Sequence, residues 1–174
     1  MVMNFSQIDA KDYKHKLDDE GREYLKIISD SAWRMRDMVQ DPLDYARLGR
    51  DGVRFGEVDM AVELGHVQDN LASLISETGA EISCVALPKI HGNAVQLMRL
   101  MQNLVANAIK YQPRGNTPRI HIHAADEGET WLIAVKDNGL GIEKAFVDQV
   151  FEPFRRLHTW DAIRGTGLGL AVCR

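Results

Sequence analysis

The sequence predicts an α+β fold, in which a sheet is covered by helices on one face, preceded by a long coiled-coil-like helix. Two observations lead to this prediction. Segments with helical and strand-like patterns are mixed without regular alternation, which favours an α+β layer. In the N-terminal region, apolar residues recur at steps of three and four, the spacing of a coiled-coil seam or a two-helix hairpin.

The N-terminal region, residues 1–52, is predicted to hold this helix and a linker. Its apolar seam consists of Leu25, Ile28, Ala32, Met35 and Val39. A lone helix cannot bury so narrow a stripe, so we expect a partner, either a second helix or another copy of the chain in a homodimer. Pro42 lies on the seam and predicts a kink or break. Glycines at 49 and 52 mark the linker to a domain over residues 53–174.

The region 53–174 supplies the mixed elements of the α+β domain. We predict strands over 57–60, 81–87, 119–125 and 130–136, and helices over 61–78 and 93–111. Asn93 suits the N-cap of the second helix. Glycine-rich loops and short helices follow to the end of the chain.

Composition and charge narrow the functional classes. The chain has 174 residues, of which 45% are hydrophobic and 26% charged, and its net charge is -4. Because basic and acidic residues are interspersed, nothing supports a nucleic-acid-binding surface. No apolar run approaches the ~20 residues of a membrane-spanning helix, and the N-terminus lacks the apolar core of a signal peptide. We therefore expect a cytoplasmic protein, or the cytoplasmic part of one.

The helix over 96–111 carries the first motif with chemical meaning. Asn103 and Asn107 are four residues apart and share one face, and Lys110 follows on nearly the same face. An amide oxygen can ligate a hard cation, and a lysine can neutralise phosphate charge, so the set suits a magnesium–triphosphate group. The alternative interpretation is an ordinary solvated helix face.

Further motifs lie downstream. Asp137 begins the turn Asp-Asn-Gly-Leu-Gly after the apolar strand WLIAV, so its carboxylate could accept from an amino group such as that of adenine. The same residues are also plain turn chemistry. The sequence FEPF follows at 151–154, and the string GTGLGL at 165–170 resembles a phosphate cradle. The charged segment 155–164 between them could be a mobile lid.

In this order and spacing, the four motifs resemble those of the histidine kinase catalytic domain. NLVANAIKY is similar to its N box, DNGLGI to its G1 box, FEPF to its F box and GTGLGL to its G2 box. Three segments are similar to phytochrome-type sensor kinases in particular. They are LDDEGREYLKIISDSAWRMRDMV, LPKIHG and FRRLHTWDAIRGTGLGLAVCR. The resemblance covers about residues 17–174 and implies a two-layer α/β sandwich of the histidine kinase ATP-binding type, with a mostly antiparallel sheet under three helices.

The resemblance also implies roles for individual residues in binding ATP and Mg. Asn107 would ligate magnesium, with Asn103 beside it. Lys110 and Tyr111 would contact phosphate or ribose, and Asp137 would bind the adenine amino group. Two glycine-rich loops complete the predicted ATP site, with Gly139 and Gly141 around the base and Gly165, Thr166, Gly167, Leu168 and Gly169 around the phosphates.

In this superfamily, one position of the N box distinguishes proteins that transfer the phosphoryl group from proteins that hydrolyse ATP. Related ATPases such as gyrase and the heat-shock chaperone of this superfamily carry a glutamate four residues before the magnesium asparagine, where it activates water. Asn103 holds that position and cannot accept a proton, which implies transfer of the γ-phosphate to a histidine.

Histidines of this chain offer no convincing phosphoacceptor. His15 lies upstream of the motifs, but lysines flank it in place of the acidic neighbour that the family has. His121 and His123 alternate along a predicted strand and share one face. They could bind a metal, although no third ligand is evident, and simple solvent exposure is the alternative.

Three functions remain open. The first is the catalytic part of a two-component sensor histidine kinase, with an acceptor-histidine domain and a response regulator as partners. The second is a non-catalytic kinase-like module that binds a partner kinase or response regulator. The third, an anti-sigma-type serine kinase, is opposed by the long seam helix. The family continues beyond GTGLGLAVCR, so we expect a C-terminally truncated domain.

Overall fold

The computed structural model describes residues 55–155 and 167–173, together with residues 18, 20–21, 24, 27–28, 31–32 and 35. Pro42 and His15 lie outside the described residues. The described residues from 20 to 35 are helical, and in the single chain Ala32 is buried whereas Ile28 and Met35 are 50% and 62% exposed. The long N-terminal helix, its partner and the domain boundary at 52/53 therefore stay predictions.

Two short helices replace the single helix predicted over 61–78. Helix α1, Met60–Asn70, begins after Asp59, whose carboxylate accepts hydrogen bonds from two backbone N–H groups of the first turn. The helix ends at Leu71, and α2, Ala72–Thr78, follows at once. The short polar side chains that precede Leu71 bond readily to nearby backbone and disfavour a helix interior, which accounts for the break.

Helix α3, Ala94–Lys110, is the long helix that the sequence predicted over 93–111. The Asn93 side chain accepts a hydrogen bond from the backbone N–H of Gln96 at 2.9 Å, so the predicted N-cap is confirmed. Met101 and Val105 are four residues apart and both buried, because residues at that spacing lie on one face of the helix.

The described strands form two sheets, with bounds β1 Gly56–Asp59, β2 Glu81–Cys84, β3 Lys89–Gly92, β4 Arg119–Asp126 and β5 Trp131–Asp137. β1 pairs with β3 in antiparallel fashion, whereas β4 lies between β2, which is parallel to it, and β5, which is antiparallel. The expectation of mostly antiparallel pairing is thus confirmed for the described strands, whereas the expectation of a single sheet is wrong, because these strands form two. β2 and β4 are joined through α3, and a connection of that length permits parallel pairing.

β3 is the strand that the pattern failed to predict. It has four residues and one aliphatic side chain, Ile90, so it carries no apolar alternation. The predicted strand over 81–87 is also shorter in the structure, since β2 ends at Cys84. The strands over 119–125 and 130–136 are confirmed by β4 and β5.

The hydrophobic core lies between the helices and the sheets. Its buried residues are Val58, Met60, Leu64, Val67, Met101, Val105, Ala108, Ile109, Ile120 and Ile122. In β4 the buried isoleucines alternate with His121 and His123, which face away from the helices. One face of the sheet is thus covered by helices, and the predicted α+β class and two-layer sandwich are confirmed.

Candidate functional site

The middle of α3 brings the two N-box asparagines to one wall of the site. Asn103 and Asn107 are half-buried and lie one helical turn apart. The C-terminal segment covers this face: a Cβ placed on Gly169 would lie 3.7 Å from Asn103 Oδ1 and 3.9 Å from Asn107 Nδ2. The structure therefore brings together the N box and part of the G2 box, which are far apart in the sequence.

The end of β5 meets the C-terminal end of α3. Asp137 Oδ1 accepts a hydrogen bond from the backbone N–H of Gly139 at 2.7 Å, and the Leu140 N–H donates to the Tyr111 carbonyl at 2.9 Å. A Cβ on Gly139 would lie 2.3 Å from that carbonyl oxygen, so only glycine fits between the turn and the helix end. Gly141 has a positive φ of 69° and open space around it.

A network of amide side chains holds this turn in place. Asn138 Oδ1 accepts from the Arg119 N–H at 2.8 Å, and Asn138 Nδ2 donates to the Thr117 carbonyl at 3.0 Å. Asn116 Nδ2 donates both to Gln112 Oε1 at 2.7 Å and to the Asn138 carbonyl at 3.1 Å. The G1 turn, the start of β4 and the end of α3 are therefore fastened to one another. The sequence predicts Asn138 only as a turn residue, because its partners lie on distant segments of the chain.

The remaining N-box candidates flank this junction. Lys110 is exposed on the last turn of α3, and Tyr111 is half-buried with its N–H donating to the Asn107 carbonyl at 2.9 Å. One helical turn thus joins the asparagine wall to the Tyr111–Asp137 junction. Asp137 is exposed, so its carboxylate can be reached from solvent.

The described part of the G2 box is fastened to the F box. The Phe154 N–H donates to the Gly167 carbonyl at 3.0 Å, and both residues have positive φ, 64° for Phe154 and 77° for Gly167. Left-handed backbone is strained for a non-glycine residue, at a cost of about 1 kcal/mol or more. Leu168 is buried at 1% exposure and anchors the segment. Gly165, Thr166 and the predicted lid, apart from Arg155, lie outside the described residues.

Cys173 is a neighbour of the site that sequence reasoning missed. Its Sγ donates to the Gly169 carbonyl at 3.2 Å, and burial raises the pKa of its thiol, although a hydrogen bond with the Asn103 side chain lowers it in part. No pattern in the sequence pointed to this contact, because it depends on how the C-terminal 3₁₀ turn Ala171–Cys173 packs on α3.

The chain is similar in sequence to a known family and to individual known proteins. A sequence profile of the family described as histidine kinase-, DNA gyrase B-, and HSP90-like ATPase matches residues 92–174. Cyanobacterial phytochrome A of Nostoc sp. is 37% identical over 173 residues, which are 99% of this chain and 22% of that protein. Phytochrome-like protein Cph1 of Synechocystis sp. is 33% identical over 173 residues, with 99% of this chain and 23% of that protein covered. The chain thus spans less than a quarter of the length of these curated relatives.

Two solved structures have a fold similar to that of this chain. Full-length ShkA in complex with AMPPNP superposes with a TM-score of 0.67 at 26% identity, covering 98% of this chain and 36% of that one. The histidine kinase ThkA in complex with the response regulator TrrA has a TM-score of 0.64 at 19% identity, covering 89% of this chain and 47% of that one, and supports the fold alone. The resemblance to phytochrome-type and other sensor kinases is confirmed, and residues 92–174 match the family of histidine kinase-, DNA gyrase B- and HSP90-like ATPases, as part of a catalytic domain of the sensor histidine kinase type.

Proposed function

We propose that this chain is the ATP-binding catalytic part of a two-component sensor histidine kinase, and that it transfers the γ-phosphate of ATP to a histidine elsewhere. The observation that carries the proposal is the approach of the Gly169 backbone to Asn103 and Asn107, with Cβ-to-amide distances of 3.7 and 3.9 Å. Because Gly169 carries no side chain, its backbone lies directly beside the two amides, and a phosphate chain bound at the edge of this contact could accept hydrogen bonds from both.

The Asp137 carboxylate suits a hydrogen bond from the amino group of adenine, which would select that base. Its Oδ1 is held by the Gly139 N–H at 2.7 Å, which fixes the carboxylate at the mouth of the turn. Its other oxygen accepts no hydrogen bond from the residues that the structure describes, and a carboxylate oxygen can accept from an exocyclic amino group. Gly139 and Gly141 leave the backbone bare at this point, so a flat base can approach closely.

Asn107 and Lys110 suit the phosphates. Magnesium usually takes few protein ligands and shares the phosphate oxygens of the substrate, and when bound it would neutralise their charge. Asn107 would hold the ion through its amide oxygen, and Asn103 would donate or accept beside it. Lys110 is exposed on the last turn of α3, where its ammonium can reach a phosphate and its charge also favours the helix C-terminus. Tyr111, Gly165, Thr166, Gly167 and Leu168 complete the proposed ATP contacts.

Asn103 favours transfer over hydrolysis. A side-chain amide has no basic group at neutral pH, so it cannot take a proton from an attacking water. The chain's contribution to the reaction would be to position the nucleotide and to stabilise charge, which is how phosphoryl transfer is mostly catalysed. The acceptor would be a histidine on an acceptor-histidine domain.

The proposed partners follow from the same function. We expect a response regulator to receive the phosphoryl group, a homodimer formed through the N-terminal helix, and a cytoplasmic location where ATP is available. Among the described residues, none of the helices has the length and apolar character needed to cross a membrane.

Calorimetric titration with ATP, with and without magnesium, tests the proposal. We expect saturable binding by the wild-type chain and a loss of about 2 kcal/mol in Asp137→Asn, because the substitution puts a donor where the base amino group needs an acceptor. Asp126→Asn is the matched control: Asp126 Oδ1 accepts from the Gly128 N–H at 2.8 Å, the same local bond at the opposite end of the β4–β5 hairpin. Its affinity should equal that of the wild type.

The results of these experiments distinguish the three functions considered above. Equal loss in both variants would refute the assignment of Asp137 to the base. Absence of binding by a folded wild-type chain would favour the non-catalytic partner-binding module. If ATP binds, an added acceptor-histidine domain should acquire acid-labile phosphohistidine, and acid-stable phosphoserine on a partner would instead favour a serine kinase.

A further inference from the structure

The face of the three-stranded sheet turned away from the helices carries two neighbouring imidazoles. His121 and His123 are two residues apart in β4, so both point to this face. Their ring centroids are 5.9 Å apart and their planes differ by 23°. His121 is exposed and His123 is half-buried, and neither takes part in the nucleotide site described above.

Ser83 fixes the orientation of His121 from the adjacent strand. The two residues are paired across β2 and β4, and Ser83 Oγ lies 3.0 Å from His121 Nδ1. Ser83 also donates its single hydroxyl hydrogen to the Ile120 carbonyl at 3.3 Å. With the hydroxyl hydrogen on that carbonyl, the Ser83 oxygen accepts from the Nδ1–H of His121, and in this tautomer the lone pair of His121 is on Nε2, directed away from Ser83.

This arrangement is the one that prepares a histidine for a metal ion. A ligating imidazole usually donates its other ring N–H to a fixed acceptor, which sets its tautomer and its orientation. Here Ser83 supplies that acceptor before any ion arrives.

We propose that His121 and His123 form a two-imidazole site for a divalent transition-metal ion of the Cu²⁺ or Zn²⁺ class. Imidazole nitrogens suit these ions, with bonds of about 2.0 Å. Two such bonds require ligating nitrogens roughly 3 Å apart, so the His123 ring must turn from its present stacking toward Nε2 of His121, whose orientation Ser83 holds. Both side chains project from one regular strand, and side-chain torsions alone can bring this about. Water would fill the remaining coordination positions.

The residues paired with His121 and His123 on the adjacent strand β5 influence where an ion can bind. Ala134 is paired with His123 across β4 and β5, and its small side chain leaves room for an ion beside that ring. Lys136 is paired with His121, and its charge opposes a cation on that side, so the ion should sit nearer Ala134. No group of three or more His, Cys, Asp or Glu side chains lies together within the part of the chain described here, so the pair is an open, two-ligand site.

Titration of the chain with Cu²⁺ and separately with Zn²⁺, each followed by calorimetry, tests the site. We expect one-to-one binding, and at least about a tenfold loss of affinity in His121→Ala and in His123→Ala, because each leaves one imidazole and removes the chelate. Ser83→Ala should weaken binding by up to about tenfold, through loss of the fixed tautomer. His91→Ala is the matched control, since His91 is another exposed strand histidine, stacked on Phe55 at 6.0 Å in the other sheet.

A parallel titration in a Cys84→Ser background removes the exposed thiol, which ligates the same ions. Electron paramagnetic resonance of the Cu²⁺ complex should show two equivalent nitrogens in the wild type and one in either histidine variant. Unchanged affinity in His123→Ala, loss of binding in His91→Ala or in Cys84→Ser, or absence of one-to-one binding by the wild type would overturn the proposal. Circular dichroism of each variant establishes that the fold is retained.

Discussion

Gly139→Ala adds a single methyl group, and we expect it to destabilise the G1 turn more than Gly141→Ala does. The Cβ of Gly139→Ala would lie 2.3 Å from the Tyr111 carbonyl oxygen and 2.7 Å from Asp137 Oδ1. The first contact is with backbone, so no side-chain rotation can relieve it. The turn must move away from α3, and the Leu140 N–H bond to Tyr111 at 2.9 Å is then lost.

The magnitude follows from the bonds that the movement breaks. The Leu140 bond is worth about 1 kcal/mol, and the charge-assisted bond from the Gly139 N–H to Asp137 about 2 kcal/mol. Partial relaxation of the turn recovers some of this loss, whereas residual overpacking adds a cost of about 1 kcal/mol. We expect the free energy of unfolding to fall by about 3 kcal/mol overall.

Urea denaturation of Gly139→Ala and of two glycine controls measures this effect. Gly141→Ala meets no atom within 4 Å but keeps a positive φ of 69°, so it should cost only about 1–2 kcal/mol of backbone strain. Gly65→Ala lies in α1 with open space around it and should stabilise the chain by about 0.5–1 kcal/mol. If Gly139→Ala is no less stable than Gly141→Ala, the steric argument is refuted.

Two further predictions concern the core and the cysteines. Ile122 is fully buried between the sheet and the helices, so Ile122→Ala should lower the free energy of unfolding by about 3 kcal/mol. Urea denaturation measures this change, and a loss under about 1 kcal/mol would contradict the place of Ile122 in the core. Burial raises the pKa of the Cys173 thiol, so a smaller fraction is thiolate at neutral pH and it should react with iodoacetamide more slowly than the exposed Cys84. Mass spectrometry of the labelled peptides measures both rates, and faster labelling of Cys173 would show that its burial is wrong.

Several elements follow from interactions between residues close in the chain. The Asn93 cap bonds to Gln96 within one turn, and the buried face of α3 follows from the helical period of its apolar residues. The bond from Gly139 N–H to Asp137 spans two residues, and turn composition alone predicts such a turn. The four motifs are short runs of residues as well, although it is their order and spacing along the chain that carry the resemblance to the histidine kinase catalytic domain.

Other features depend on contacts between distant segments. β3 has one aliphatic residue and forms because β1 pairs with it, and the parallel pairing of β2 with β4 requires the crossover through α3. Tertiary packing also decides why Gly139 must be glycine, since the atom that excludes a side chain is the Tyr111 carbonyl on another element.

Periodicity, caps and turns act over a few residues, so the α+β class, helix α3 and strands β4 and β5 could be predicted from the sequence alone. The resemblance supplied the candidate site residues, but which of them meet depends on tertiary packing. It brought Gly169 and Cys173 onto the asparagines of α3 and joined Asp137 to the end of that helix. It also set Ser83 against His121. Contacts of this kind arise when the core brings separate segments together, and no local pattern encodes them.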